Sequence, residues 1–329
     1  MRRAAWVLAL AAAVAALALV RPASAEFPTK PIRIVVPYAP GGLTDVVSRL
    51  FAEQLRKILN NAVFVENKPG ASGILAIEEM ARSRPDGHTL MIGNISTNGL
   101  TPVLLAKKLK VDYDKDVQIV ARLVDVPVFF LATTTNFAPK TFAEFLAHAR
   151  ANPGKVRFGS AGMGSYQQIN TAILAKRAGL DLVHIPFKDG GAPILRDLSN
   201  GDIQVSWFNI TNPVGMMKEG RVRPLAVAAQ QRLPAYPDVP TIQELGFPDV
   251  RPIQWSAAFA PAGVPQPIIA TLHDAFAKAA ETPEMQEAFR KGGMIPSAQA
   301  PLADAQTWLT SEMAGWRRVV DELQIVIDE

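Results

Sequence analysis

Two glycine-rich turns in this sequence each stand between an apolar run and a helical pattern. The first is Pro40-Gly41-Gly42, and the second is the stretch GSAGMGS at Gly159–Ser165. Glycine permits positive φ angles and close approach of a ligand to the backbone. The helix N-terminus that follows presents unpaired N–H groups and about half a positive charge. Such turns suit a carboxylate or another anion. A glycine there can also serve a simple tight turn, and it is the occurrence of two matched turns that favours binding.

Candidate ligand-binding residues lie in these turns and in two further segments. The third segment, GNISTNG at Gly93–Gly99, is rich in small hydroxyl and amide groups, and the fourth, SWFNI at Ser206–Ile210, offers two aromatic rings and an amide. If the segments line one cleft, the candidate ligand-binding residues are Tyr38, Ala39, Gly41, Gly42, Thr44, Asp45, Asn94, Ser96, Ser160, Ala161, Gly162, Gly164, Ser165, Trp207, Phe208 and Asn209.

Three of these candidates have alternative roles. Asp45, at the start of a helix, is favoured as a cap but could also accept a hydrogen bond from a ligand. Trp207 and Phe208 could form an aromatic wall of the site or belong to the core. Neither turn contains arginine or lysine, so a carboxylate there would be held by neutral donors, each contributing about 1.5–3 kcal/mol.

Signatures of catalysis, metal binding and nucleotide binding are missing from the sequence. Phe158 breaks the G-x-S-x-G pattern around Ser160, and neither a P-loop nor G-x-G-x-x-G occurs. His184 could serve Ser160 as a base distant in sequence, but a structural histidine is the favoured reading. The four histidines show no metal-ligand spacing, and they are His88, His148, His184 and His273. We therefore expect no enzyme, no metal and no cofactor.

The first 25 residues have the pattern of a secretory signal. Arg2 and Arg3 precede an apolar run at Ala4–Val20, and Ala23-Ser24-Ala25 predicts cleavage after Ala25. An uncleaved membrane anchor is the alternative. Export of a chain without cysteine favours the bacterial periplasm. Removing this segment takes away three arginines and no acid, which lowers the net charge from +4 to +1 and argues against nucleic acid as a partner.

Beyond the signal, short apolar runs alternate with amphipathic segments, which predicts an α/β protein with parallel, doubly wound sheets. Thr141 with Glu144, and Thr241 with Glu244, match the capping box at a helix start. The repeated glycine turn predicts two lobes, one of residues 26–125 and 229–329 and the other of residues 126–228. Predicted strands are Ile32–Pro37, Ala62–Val65, His88–Ile92, Val126–Ala132, Val156–Phe158, Leu182–Ile185, Ile203–Trp207, Arg223–Ala228 and Ile253–Phe259. Predicted helices are Thr44–Leu59, Ala71–Arg82, Thr141–Arg150, Ser165–Ala178, Ala192–Leu198, Gln266–Glu281 and Leu302–Leu323.

Nearly all of the chain after residue 25 resembles the periplasmic solute-binding receptors of tripartite tricarboxylate transporters, the Bug or TctC family. The resemblance is carried by FPTKPIRIVVPYAPGGLTD at Phe27–Asp45, ENKPGASG at Glu66–Gly73, GSAGMGS at Gly159–Ser165, HIPFKDGG at His184–Gly191, GDIQVSWFN at Gly201–Asn209, GRVRPLAVAAQQRLPAYPDVPTIQELG at Gly220–Gly246 and QWSAAFAPAGVP at Gln254–Pro265. It implies a two-lobed type II periplasmic binding fold that closes over a small carboxylated solute. It also implies that the carboxylate meets backbone amides of residues 40–44 and 160–165.

The sequence departs from the family pattern at several positions. Phe208 stands where many relatives have an acidic residue, Met163 replaces a frequent asparagine, and Ser256-Ala257 follows Trp255. The lost acid leads to the hypothesis that a ligand with a free ammonium group is disfavoured and an apolar or aromatic carboxylate is preferred.

These observations together predict a periplasmic solute-binding protein for a small mono- or dicarboxylate, monomeric and without catalysis. The expected partners are the membrane subunits of a tripartite tricarboxylate-type transporter. A receptor that feeds a sensor protein is the alternative, and an α/β hydrolase-like enzyme is the less favoured rival.

Overall fold

The computed structural model describes residues 27–187, 191–210 and 212–325. The predicted signal segment and its cleavage position lie outside these residues. None of the helices in the described ranges is long and apolar enough to cross a membrane.

Strands and helices alternate along most of the chain. The strands are β1 (Ile32–Val36), β2 (Val63–Asn67), β3 (Thr89–Asn94), β4 (Val117–Val126), β5 (Val128–Thr133), β6 (Val156–Ser160), β7 (Leu182–Pro186), β8 (Val205–Asn209), β9 (Val222–Ala228), β10 (Gln254–Pro261) and β11 (Ile295–Pro296). The helices are α1 (Leu43–Ile58), α2 (Ile74–Ala81), α3 (Thr101–Leu104), α4 (Tyr113–Asp116), α5 (Phe142–Ala151), α6 (Tyr166–Ala178), α7 (Gly191–Asn200), α8 (Val214–Lys218), α9 (Gln266–Glu281), α10 (Pro283–Gly292) and α11 (Leu302–Leu323).

The strands form two sheets, and each sheet is mixed. The first has the order β11-β4-β10-β3-β1-β2 and the second β7-β6-β8-β5-β9. In the first sheet β10 runs antiparallel to both β3 and β4, and in the second β5 runs antiparallel to β8 and β9. The α/β class is confirmed, but the expectation of parallel sheets holds only for β1–β3 in the first sheet and β6–β8 in the second. The antiparallel strands are β5, on which the chain enters the second sheet, and β10, on which it returns to the first sheet. Neither is preceded by a crossover helix.

Strand β4 is the main element that the sequence patterns missed. Arg122 and Asp125 interrupt its apolar run, but in the folded protein they pair with each other, with Arg122 Nε 3.2 Å from Asp125 Oδ1. The guanidinium also lies 4.3 Å from the centre of the Trp308 ring, a cation–π contact. Only Pro127 separates β4 from β5, so one continuous extended segment joins the two sheets.

The two predicted capping boxes form to different extents. At Thr241 the box is reciprocal, because its hydroxyl accepts from the backbone N–H of Glu244 and its own N–H donates to the Glu244 carboxylate. At Thr141 the hydroxyl accepts from Glu144 N–H, but the Glu144 carboxylate accepts from Lys140 N–H. Thr141 is the N-cap of α5, as predicted. At Thr241 the predicted helix start is wrong, because residues 242–246 form a turn and the reciprocal bonds close that turn instead.

The strand order brings the loops of interest together. Strand β1, which leads into the first glycine turn, lies beside β3, which leads into Gly93–Gly99. In the second sheet β6, which leads into the second glycine turn, lies between β7 and β8. Ligand sites in open sheets lie beyond the carboxyl ends of such neighbouring parallel strands.

Helix α11 ties elements of both sheets together through Glu312. The carboxylate accepts from the indole N–H of Trp255 at 3.1 Å and of Trp316 at 2.9 Å, and from the Arg251 guanidinium at 2.6 Å. The backbone N–H of Arg251 in turn donates to Asn170 on α6 at 2.7 Å. A single, largely buried carboxylate thus connects β10 and α11 with the segment that returns from the second sheet.

The far end of α11 also contacts α6. Lys176 donates to the backbone carbonyls of Leu323 and Gln324, and Arg177 donates to Glu322 at 2.8 Å. Helix α6, which begins at the second glycine turn, is therefore held at its other end by the C-terminal helix.

We expect Glu312→Gln to reduce the free energy of unfolding by about 1–3 kcal/mol, since hydrogen bonds to a charged group lose strength when the charge is removed. The control is Glu287→Gln, which removes an exposed helical carboxylate paired with Arg290 and should change stability little. Urea unfolding followed by tryptophan fluorescence measures both. Equal losses in the two variants would contradict the role assigned to Glu312.

Candidate functional site

The first glycine turn is held from inside by Asp45. Its Oδ2 accepts from Gly41 N–H at 2.9 Å and from Arg49 Nε at 3.0 Å, and its Oδ1 accepts from Asn67 Nδ2 at 2.8 Å. Gly41 has φ +95°, a conformation that favours glycine. Asp45 is 2% exposed, and its bonds fix the residue before the helix start. Asp45 is therefore occupied by the turn and is not a free acceptor for a ligand, but it caps none of the N–H groups of the first helical turn.

Asp45 is held in its ionised form. Burial by itself raises the pKa of Asp45, but the hydrogen bonds from Arg49, Gly41 and Asn67 outweigh burial and hold that pKa below its usual value. Arg49 balances the charge from the next helical turn. Arg49 was not among the predicted site residues, although the i, i+4 spacing of Asp45 and Arg49 on one helix was a signal for the pair.

Asn94 is the junction between the first turn and the third segment. Its Oδ1 accepts from the Tyr38 hydroxyl at 2.8 Å and from the backbone N–H groups of Ser96 and Thr97, while its Nδ2 donates to Thr44 Oγ1 at 2.9 Å. Desolvation raises the pKa of Tyr38 to about 12, so its phenol stays protonated. The Asn94 side chain therefore positions four neighbouring groups.

The second glycine turn is organised around Ser165 and Gln168. Ser165 caps α6, accepting from Gln168 N–H at 3.4 Å and donating to the carbonyl of Gly162 at 2.7 Å. The side-chain oxygen of Gln168 accepts from Gly164 N–H at 2.5 Å. Gly162 and Gly164 both have positive φ, of 100° and 74°.

The same arrangement is thus present in both turns with different residues. In each case the third residue of the helix reaches back to the backbone N–H four positions earlier: Asp45 to Gly41, and Gln168 to Gly164. The acceptor is charged in the first turn and neutral in the second. The paired glycines were predicted from the sequence, but Gln168 was not, although it follows Gly164 at the same four-residue spacing as Asp45 follows Gly41.

A direct contact joins the third segment to the second turn. The Ser96 hydroxyl accepts from the backbone N–H of Tyr166, the first residue of α6, at 3.2 Å. Since Ser96 follows a strand of the first sheet and Tyr166 belongs to the second lobe's α/β unit, this contact brings loops of the two sheets face to face.

The fourth segment does not form the expected aromatic wall. Trp207 is fully buried with its ring 4.8 Å from that of Phe130, whereas Phe208 is 2% exposed and packs with Ile194 in a different core cluster. Neighbouring residues of a strand point to opposite faces of the sheet. The two rings therefore belong to the core, as the alternative reading had it. Asn209, also buried, accepts from Asn212 N–H at 3.1 Å.

The candidate residues differ in their access to solvent. Three of the candidate ligand-binding residues are half-buried, namely Tyr38, Ser96 and Gly162. Four are exposed, and all the others are buried. The exposed candidates are Ala39, Gly41, Gly42 and Ala161. Open space lies above Gly41 and Gly42, since an added Cβ would meet no atom within 4 Å.

The structure brings together Ser160 and His184, the pair that was disfavoured as catalytic. Ser160 Oγ lies 2.6 Å from His184 Nε2. Ser160 is fully buried, and in the described ranges no carboxylate lies against His184 to orient it as in a catalytic triad. The described residues also contain no group of three or more side chains that could hold a metal ion.

Comparison with known proteins agrees with this architecture. Residues 47–325 match the family described as "Tripartite tricarboxylate transporter family receptor". The chain belongs to this family. It is 30% identical over 310 residues to "Protein BugT" of Bordetella pertussis, which covers 94% of each chain.

Two solved structures of family members extend the comparison. "MatC (Rpa3494) from Rhodopseudomonas palustris with bound malate" is 33% identical, with a TM-score of 0.78 over 89% of this chain and 100% of that chain. "R. palustris Rpa4515 with adipate" is 28% identical, with a TM-score of 0.80 over 92% of this chain and 99% of that one.

Membership confirms several expectations from the sequence. The recognised family and the two-lobed periplasmic binding fold are both confirmed. The protein is a solute-binding receptor of a periplasmic family and not an enzyme. The close Ser160–His184 pair therefore has a role other than catalysis.

We expect Asp45→Asn to lower the free energy of unfolding by about 1–3 kcal/mol at neutral pH, because it removes an ionised acceptor of several hydrogen bonds. Since the folded-state pKa of Asp45 is depressed, its contribution is present above the ordinary carboxyl pKa of about 3.9 and is lost as pH falls through the lower folded value. The difference between variant and wild type should therefore shrink below about pH 4.

Urea unfolding at pH 7 and pH 3 measures this difference. Asp304→Asn is the matched control, because Asp304 also occupies the third position of a helix but is exposed. A difference for Asp45→Asn that stays constant down to pH 3 would show that the ionised form is not what stabilises the turn.

Proposed function

We propose that this protein captures a small carboxylated solute between its two glycine turns and delivers it to the membrane subunits of a tripartite tricarboxylate-type transporter. The proposal includes export with cleavage after Ala25, action as a monomer, and lobes of residues 26–125 with 229–329 and of residues 126–228. The solute is a mono- or dicarboxylate, and relatives solved with malate and with adipate, both dicarboxylates, support the second of these.

The observation that carries the proposal is the uncapped start of α1. Gly42 is the N-cap residue of this 16-residue helix and makes no side-chain cap, in contrast to Ser165 on α6. Gly41 and Gly42 are exposed, with open space above them. The first helical N–H groups are therefore offered to a ligand anion, aided by the helix dipole.

The energy available from such a site matches the needs of a carrier. A hydrogen bond to a charged group contributes about 1.5–3 kcal/mol, so three or four of them, after ordering costs, suffice for micromolar binding at about −8 kcal/mol. No cationic side chain needs to be displaced on release, because Arg49 is already paired with Asp45.

The buried position of Phe208 refines the ligand hypothesis. Its ring packs in the core and offers no wall to an aromatic solute, so the argument for an aromatic preference is weakened. The argument against a free ammonium group then rests on the first turn, whose one carboxylate, Asp45, is already occupied by Gly41, Arg49 and Asn67 and is not free to accept from a ligand. We therefore rank malate-like and adipate-like acids above aspartate and benzoate.

Calorimetry on the exported protein, purified without refolding, tests the solute class with malate, adipate, benzoate and aspartate as probes. We expect micromolar binding of malate or adipate and none of adipamide, the neutral diamide of adipate. Binding of adipamide as tight as that of adipate, or binding of aspartate alone, would contradict the proposal.

A pair of variants tests the turn itself. Gly42 has φ −78° and ψ 167°, which any residue can adopt, so Gly42→Asp and Gly42→Asn should both fold. Both side chains cap the helix and compete with the ligand, but only Asp adds a negative charge. We expect Gly42→Asp to weaken binding of the preferred acid roughly tenfold more than Gly42→Asn, a difference of about 1.4 kcal/mol. Equal affinities of the two variants would place the anion elsewhere.

A further inference from the structure

The buried hydroxyl of Ser160 connects a histidine to the second glycine turn. Ser160 ends β6, and His184 lies on the neighbouring parallel strand β7, in register with Phe158. Besides its 2.6 Å contact with His184 Nε2, Ser160 Oγ accepts from the backbone N–H of Gly162 at 3.2 Å and lies 3.1 Å from the Gly162 carbonyl. Both backbone groups of this turn residue are thus within reach of one hydroxyl.

We infer that His184 is a positioning residue for the second turn, acting through Ser160, and that protonation of its imidazole strengthens carboxylate binding there. This inference rests on the proposed carboxylate site. It concerns how tightly that site binds at different pH.

The hydroxyl has a single hydrogen, which makes its arrangement depend on the imidazole. A neutral His184 that accepts at Nε2 takes the hydroxyl hydrogen, and Ser160 Oγ then accepts from Gly162 N–H. A protonated His184 must donate at Nε2, and the hydroxyl hydrogen is then directed to the Gly162 carbonyl. Each state has a complete set of partners within the observed distances. Protonation of the tautomer that carries its hydrogen on Nδ1 therefore adds a second donor to the carbonyl of Gly162, which already accepts from the Ser165 hydroxyl. Gly162 has φ +100°.

The surroundings of His184 favour the neutral ring in the free protein. The imidazole stacks on Phe158, with ring centres 4.9 Å apart, and burial lowers the pKa of His184. A bound carboxylate at residues 160–165 would add a negative charge nearby and favour the protonated ring. The coupling between the two equilibria is reciprocal: if ligand binding makes His184 easier to protonate, protonation of His184 must make the ligand bind more tightly.

Within the described part of the chain, no hydrogen bond or ion pair joins a charged side chain to the His184 ring. Arg157 on β6 alternates with Phe158 and so lies on the other face of the sheet, and Asp181 precedes β7. On α6 the charged residues Lys176 and Arg177 are in the last turn, where they bond to the end of α11 and to Glu322. Lys188 and Asp189 follow β7 and lie outside the described residues.

Titration of binding affinity against pH tests the inference. Dissociation constants for malate and adipate are measured between pH 5.5 and 8 on wild type, His184→Gln and Ser160→Ala. The control is His148→Gln, which replaces a histidine of α5 that meets the Phe137 ring edge to face. Glutamine keeps a hydrogen-bonding group near Nε2 but does not titrate. Comparison with the variants cancels any protonation of the acids themselves.

For each protein, the dissociation constant at pH 8 is divided by that at pH 5.5. We expect this ratio to be at least about five-fold larger in wild type and in His148→Gln than in His184→Gln. Ser160→Ala should reduce this pH dependence although His184 is still present, because only the charge of the imidazolium, and not the hydroxyl, then acts on the turn. NMR titration of His184 in wild type should show an upward displacement of its titration midpoint when the acid is added, which a merely structural histidine would not show.

A pH profile of His184→Gln identical to that of wild type would overturn the role of His184 and leave the carboxylate site intact. Retention of the full wild-type pH dependence in Ser160→Ala would overturn the coupling through the hydroxyl. Failure of wild type to bind either acid at any pH would contradict the proposed function itself.

Discussion

The conformation of both glycine turns depends on a side-chain acceptor supplied by the helix that follows. Asp45 and Gln168 each accept from the backbone N–H four residues earlier, which fixes a glycine in the left-handed region. Without these bonds a glycine-rich turn would lose conformational entropy on binding a ligand. The turns are therefore preorganised, and the cost of ordering them is met during folding.

The two acceptors differ in charge, and this difference has electrostatic consequences. The ionised Asp45 needs Arg49 as a partner, so the first turn carries an internal ion pair close to a helix N-terminus. Gln168 brings no charge, so the N-terminus of α6 keeps its full dipole. A proton on His184 would act on this second, uncompensated turn, where a single charge has the larger effect.

Contacts between the loops make the site a property of both sheets. Asn94 joins Tyr38, Thr44 and the third segment, and Ser96 accepts from the first residue of α6. At the other end of α6, Lys176 and Arg177 bond to α11 and to Glu322. Helix α6 thus has contacts with the first sheet's elements at both ends. Movement of one sheet relative to the other must change bonds in the second glycine turn.

The amino-acid sequence by itself was sufficient for the family, the α/β class, the glycine turns and the long amphipathic helices, whose bounds at Gln266–Glu281 and Leu302–Leu323 are as predicted. These features follow from local patterns, in which neighbouring residues determine the backbone. Only the tertiary structure decided the direction of β10, the existence of β4 despite Arg122 and Asp125, and the separation of Trp207 from Phe208. It also decided the contact of Ser160 with His184, 24 residues apart. Each of these depends on which strands become neighbours, and strand pairing over long sequence separations is not encoded in any local pattern.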